Sequence, residues 1–274
     1  MRRRHVCSSL AAACGTALLA PLPSLAAYDS ASAPASPMTV GEVPPFAYRD
    51  AEGALRGMAV DMIRLSAQRM GEALPSFELM PFARALDGMR KRAPSFLMPL
   101  ARIVERESRF DWVFPMIRGQ FALFARAGST VDIDRPEHFG KLNVGTLRSV
   151  GMDELSDAIG FASLHRSSSV ETGVRMLMAG RFDALLCMDH SIHHVLINLG
   201  LGTQAVRMGR ILRPVEVYLA AFKGVPPAQR EAWCINLSTL RQEGALDAIQ
   251  DSYRVIGPRQ GWNEARPLNL RRGA

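Results

Sequence analysis

Residues 169–200 read SVETGVRMLMAGRFDALLCMDHSIHHVLINLG, and the period of the apolar residues changes twice along them. Val170, Val174, Leu177 and Met178 recur at helical spacing behind Ser169, and Gly180 closes the run. Phe182 to Met188 is a short, dominantly apolar stretch that reads as a buried strand. Ser191 to Leu199 returns to helical spacing and ends at Gly200. Helix, strand and helix within 32 residues predict a parallel sheet with helices on its faces.

The same logic extends outward in both directions. Leu142 to Leu147 is a predicted strand and Met152 to Ile159 a helix. Further upstream, Met38 to Gly41 is strand-like, Pro44-Pro45 breaks it, and Asp50-Ala51-Glu52-Gly53 is a turn. Met58 to Met70 is an amphipathic helix ended by Gly71. Phe77 to Met80 follows as a strand, Arg84 to Arg92 as a helix, and Ser95 to Leu100 as a buried strand. Phe110 to Val113 and Gln120 to Ala125 read as two separate extended pieces. Downstream, Val215 to Phe222 is a strand, and Pro227 to Gly244 and Ala245 to Tyr253 are helical. The two strand-helix sets are alike in plan but too dissimilar in sequence to form a repeat. Two α/β lobes are expected, with the last segment returning to the first.

Charge says less than it first suggests. The 274 residues carry a formal +7, which taken alone points to nucleic acid or a membrane surface. Three of those charges are Arg2, Arg3 and Arg4, and no acid precedes Asp29. The remaining +4 is dispersed without a basic run, so nucleic acid is not an expected partner. The arginines head an export signal: a basic start, a small and apolar Val6 to Ala20, then Pro21, Pro23 and Ser24-Leu25-Ala26. Residues 1–26 are assigned to a signal peptide cleaved after Ala26, and 27–37 to a Ser-, Ala- and Pro-rich leader. A lipoprotein signal at Cys14 and a membrane anchor are competing readings; Ala11 stands where a lipoprotein signal usually has Leu, and the apolar run is short of the ~20 residues a spanning helix needs. Cys187 and Cys234 remain beyond the signal. They lack metal-type spacing and read either as free thiols or as a pair formed in an oxidising compartment.

Several phrases, taken in order, resemble the family-3 bacterial extracellular solute-binding proteins. The first is Val40-Gly41-Glu42-Val43-Pro44-Pro45-Phe46-Ala47-Tyr48 followed by Gly57-Met58-Ala59-Val60-Asp61-Met62. The others are Pro81 to Leu86, Pro99 to Glu107 with Arg109 to Pro115, Val144 to Gly151, and Met178 to Leu186. The resemblance runs from 38 to about 255. It implies a two-lobed, periplasmic-binding-protein-like (type 2) α/β fold, each lobe a mostly parallel sheet flanked by helices. Lobe 1 is expected from 38–122 and 215–258, lobe 2 from 123–214, and a tail from 259–274. Departures concern specificity: Ile103 stands where the family usually has Thr, Arg92-Ala93-Pro94-Ser95 replaces a Gly and Asp stretch, and Met98 to Ala101 lacks hydroxyls.

The resemblance also nominates a site. Arg106 matches the family's carboxylate-gripping arginine, a role for which a planar two-donor cation suits. Pro99, Leu100 and Ala101 match its ligand loop. Ser149, Val150 and Gly151 precede or open a helix whose free N–H groups favour anions. Phe46 and Tyr48 are stacking candidates, with Phe82 beside them, and Arg84 is a second possible anion donor. Asp189, or alternatively Glu42, would face an α-amino group. His190 and His194 lie four apart, on one helical face, without the Glu of a zincin motif. No cofactor, metal or catalytic residue is expected.

The resemblance implies a periplasmic, monomeric, non-enzymatic binder of an amino acid or small carboxylate, presented to an ABC permease or a sensor. An enzyme on the same fold, using Asp189, His190 or Glu42, and an accessory protein of a periplasmic quinoprotein dehydrogenase remain alternatives.

Overall fold

A computed structural model describes residues 37–87, 95–148 and 150–253. The signal peptide, all but the last residue of the leader, the tail at 259–274 and Ser149 lie outside the described residues.

One eight-stranded sheet runs through the molecule, in the spatial order Phe77–Pro81, Met38–Glu42, Phe96–Ala101, Val206–Phe222, Phe110–Arg126, Ala184–Met188, Asn143–Leu147 and Ser163–Ser167. One half holds β1 (Met38–Glu42), β4 (Phe77–Pro81) and β5 (Phe96–Ala101), with β1 parallel to both others. The other half holds β7 (Asn143–Leu147), β8 (Ser163–Ser167) and β9 (Ala184–Met188), with β7 parallel to both others. Each half forms a lobe. Between them β6 (Phe110–Arg126) and β10 (Val206–Phe222) run antiparallel for 17 residues each and belong to both. A small hairpin of β2 (Tyr48–Arg49) and β3 (Leu55–Arg56) stands apart.

Three sequence expectations change. The extended pieces at 110–113 and 120–125 are one strand, and the strand expected from Val215 begins at Val206. Pro115, Arg118 and Gly119 interrupt the apolar run without ending the ladder, because the register shifts nearby absorb a residue that cannot donate. The parallel halves are therefore joined by an antiparallel centre. Finally, β8 was not anticipated: Ser163-Leu164-His165-Arg166-Ser167 is polar because it lies at the sheet edge.

Helices cover the sheet. The first lobe carries α1 (Met58–Met70), α2 (Phe82–Asp87), α6 (Pro227–Gln242) and α7 (Ala245–Ser252). The second carries α3 (Val150–Ile159), α4 (Val170–Met178) and α5 (Asp189–Asn198). Helix α2 starts two residues before the expected Arg84, and residues 88–94 lie outside the described set. Helix α5 starts at Asp189, two residues before Ser191, and α3 starts at Val150, two before Met152. Ser169 caps α4 by accepting a bond from the Thr172 amide at 3.1 Å. Among the described residues no helix is long and apolar enough to cross a membrane.

Candidate functional site

In parallel α/β units the carboxyl ends of the strands and the amino ends of the following helices meet at one edge, where ligands bind. Here those edges of the two lobes face each other. Val43, Phe46, Phe82, Pro99, Ala101, Ile103 and Arg106 line one wall of an inner cavity. Leu147, Met152, Val170, Leu186, Cys187, Met188 and Ser191 line the other, and Phe121 and Val217 of the shared strands close its base. The chamber measures about 70 Å³, room for roughly five waters. Among the described residues its wall is apolar apart from Arg106, Ser191 and Cys187.

Arg106 lies in the 3-10 turn Val104–Arg106 that follows β5, and is 5% exposed. Its Nη1 donates to the Ala101 carbonyl at 2.9 Å. Its guanidinium carbon stands 5.6 Å from the centre of the Phe82 ring, within cation–π range. A peptide carbonyl and an aromatic face thus hold the cation at the wall. Arg102, by contrast, is tied outward by two bonds to Glu107, at 2.8 and 3.1 Å. Arg109 donates to the Leu86 carbonyl.

Ser191 sits in the first turn of α5, 1% exposed, and its Oγ has no hydrogen-bond partner. Cys187 beside it is a free thiol, and burial pushes its pKa up to about 12. Cys234 is also free, so the two do not form a disulfide here.

Outside the chamber the cleft widens to a mouth of about 1000 Å³ that mixes polar and apolar residues. Glu42, Tyr48, Arg49, Arg148, Arg175 and His194 are among its lining residues, and Val43, Phe82, Leu147 and Val170 are common to chamber and mouth. Two ring contacts bridge the lobes: Phe46 to His190 at 5.8 Å and Tyr48 to His194 at 5.1 Å. Burial lowers the His194 pKa. Burial, and next the charge of Asp50, raise that of Tyr48, which stays a phenol at neutral pH.

The expected site residues therefore divide. Arg106, Pro99, Ala101 and Phe46 line the chamber, and Tyr48 lines the mouth. Leu100 does not: its side chain lies in a separate core cluster with Met80, Leu86, Leu97 and Phe110. Arg84 is exposed and lines neither cavity. Asp189 also lines neither; its Oδ1 accepts from the His190 amide at 2.8 Å and the Gln120 amide at 3.4 Å, and lies 2.7 Å from His190 Nδ1. That carboxylate secures the start of α5 to β6. Glu42 stands exposed at the mouth. Val150 and Gly151 open α3, and Ser149 is outside the described residues. Ile103, Met152 and Ser191 joined the chamber without having been nominated as ligand contacts. Ile103 carried a signal, as the apolar residue in a hydroxyl position.

The family model for "Bacterial extracellular solute-binding proteins, family 3" matches residues 38–255. The chain belongs to that family. No curated protein matches its sequence. Among solved structures, family-3-like architecture recurs in a histidine kinase sensor domain with similarity to periplasmic binding proteins, at 20% identity and TM-score 0.71, covering 80% of this chain and 96% of that one. The GluR0 ligand-binding core from Nostoc punctiforme, in complex with L-glutamate, matches at 19% and 0.67, covering 80% and 99%. A mutant of ArgBP from T. maritima matches at 17% and 0.65, covering 79% and 93%. These likenesses establish the type 2 periplasmic-binding-protein fold.

Proposed function

We propose that this family-3 protein is an exported receptor that closes its two lobes on an amino acid or other small carboxylate. One observation carries the reading: a buried arginine stands in a chamber walled by both lobes. A solute there touches both walls only when the lobes approach, so it stabilises the closed form. Residues 38–122 and 215–258 constitute the first lobe and 123–214 the second. The signal at 1–26 directs the chain to the periplasm, where it acts as a monomer and without covalent chemistry. An ABC permease reads the closed form.

A sensor partner is the second reading, favoured by the likeness to a histidine kinase sensor domain. An enzymatic role draws less support, because neither Asp189 nor His190 is among the described residues that line the chamber.

A thermal-shift screen of amino acids and small carboxylates tests the proposal. Arg106→Ala should weaken the stabilising compound roughly 10- to 100-fold while leaving the fold intact. Unchanged affinity would remove Arg106 from the site.

A further inference from the structure

We infer that the solute seated in the chamber is a small apolar carboxylate without an α-ammonium group, bound by Arg106 from one lobe and by Ser191 from the other. The inference rests on the receptor reading above and narrows its ligand.

Among the described residues that line the chamber, Arg106 is the one charged side chain, and none is Asp or Glu. Asp189, the acid expected to face an amino group, is turned to the Gln120 and His190 amides. Glu42 is at the solvent-exposed mouth. An ammonium drawn into this apolar chamber would lose its water and gain no carboxylate, and buried charge is tolerated only when paired and hydrogen-bonded.

Ser191 supplies the independent observation. A buried hydroxyl without a partner is costly, and such groups are uncommon in native interiors. This one is 1% exposed, unpartnered, and on the wall opposite Arg106. The residue lines the chamber, and a turn about χ1 would bring its O–H to an anion held there. With Ile103, Met152, Val170 and Leu186 around them, the two donors leave an apolar remainder for the rest of the ligand. A chamber of about 70 Å³ suits a short branched or ring group.

Calorimetric titration of the purified protein with matched pairs tests this: 3-methylbutanoate against valine, and 4-methylpentanoate against leucine. Each pair differs at the α-amino group alone. The acids should bind about 10- to 100-fold more tightly than the amino acids. Ser191→Ala should weaken the acids about tenfold while leaving the melting temperature of the unliganded protein unchanged or higher, because it removes an unsatisfied group. Amino acids that bind as well as the acids overturn the ligand class and leave the receptor reading standing. Silence from both series up to about 10 mM overturns the ligand class, while the receptor reading falls only if the wider thermal-shift screen is silent as well. Unchanged acid affinity in Ser191→Ala overturns the role given to Ser191.

Discussion

The Tyr48 ring stands 5.1 Å from the His194 imidazole, so a residue of the β2 hairpin strand meets a residue of α5 across the mouth of the cleft. Phe46 and His190 make a second, tilted contact at 5.8 Å. Residues 190 and 194 fall on one helical face, and that face is what the first lobe meets. Aromatic pairs of this kind couple by about 0.5–1.5 kcal/mol. A double-mutant cycle of Tyr48→Ala and His194→Ala, read in solute affinity, should give a coupling in that range. Additive losses would show that the rings are neighbours without mutual dependence.

Acid should weaken the fold. Burial lowers the pKa of both His193 and His194, against a smaller opposing pull of Asp189 on His193. The unfolded chain therefore takes up protons near the ordinary histidine value of about 6.5, before the folded chain does. Their stabilising contribution is fully present above that value and falls as pH drops through it towards the lowered folded values. Melting temperature measured from pH 8 to 5 should decline below about 6.5, and His194→Gln should flatten the decline. An unchanged slope in that variant would exclude His194 as a source.

Gly57 admits no side chain. Its φ is +131°, and a Cβ there would lie 2.3 Å from the Phe46 carbonyl oxygen. Its amide donates to Tyr253 Oη at 3.0 Å, and that hydroxyl donates to Asp61 at 2.5 Å. Gly57→Ala should cost roughly 2–3 kcal/mol in denaturant unfolding and weaken solute binding through displaced Phe46. Tyr253→Phe should cost about 1.5–3 kcal/mol with a smaller effect on binding.

Thiol chemistry reports on the chamber. With the Cys187 pKa raised to about 12 by burial, little thiolate exists at pH 8. Iodoacetamide should label Cys234, which is partly exposed, well before Cys187. A bound solute should slow Cys187 further without altering Cys234, as peptide mapping by mass spectrometry would show.

Much of this architecture was legible because burial imposes a period. Val170, Val174 and Leu177 are all buried at the spacing that marked α4, and the strand before α5 is buried along its length. The failures have physical causes as well. The edge strand β8 needs few apolar residues, and β6 tolerates Pro115 and Gly119 because its partner shifts register. Arg106 was legible through its surrounding phrase. Leu100 illustrates the limit: Pro99 and Ala101 reach the chamber while the residue between them enters the core on the other face. Asp189, expected to face the solute, secures the start of α5, while Ser191 two residues on lines the chamber, a division that only the fold decides.

The shared β6–β10 ribbon sets the mechanics of the molecule. Two loose linkers would let the lobes wander through many orientations, each closure repeating a large entropic loss. A hydrogen-bonded pair of 17-residue strands acts instead as a leaf spring, stiff in its own plane and compliant to twist. Its weak points are the register irregularities between Met208 and Arg213 and between Val217 and Ala220. On the receptor reading proposed above, deformation concentrated there would strain few ladder bonds and guide the lobes along one path, leaving most of a solute's binding free energy for the contacts at the end of it.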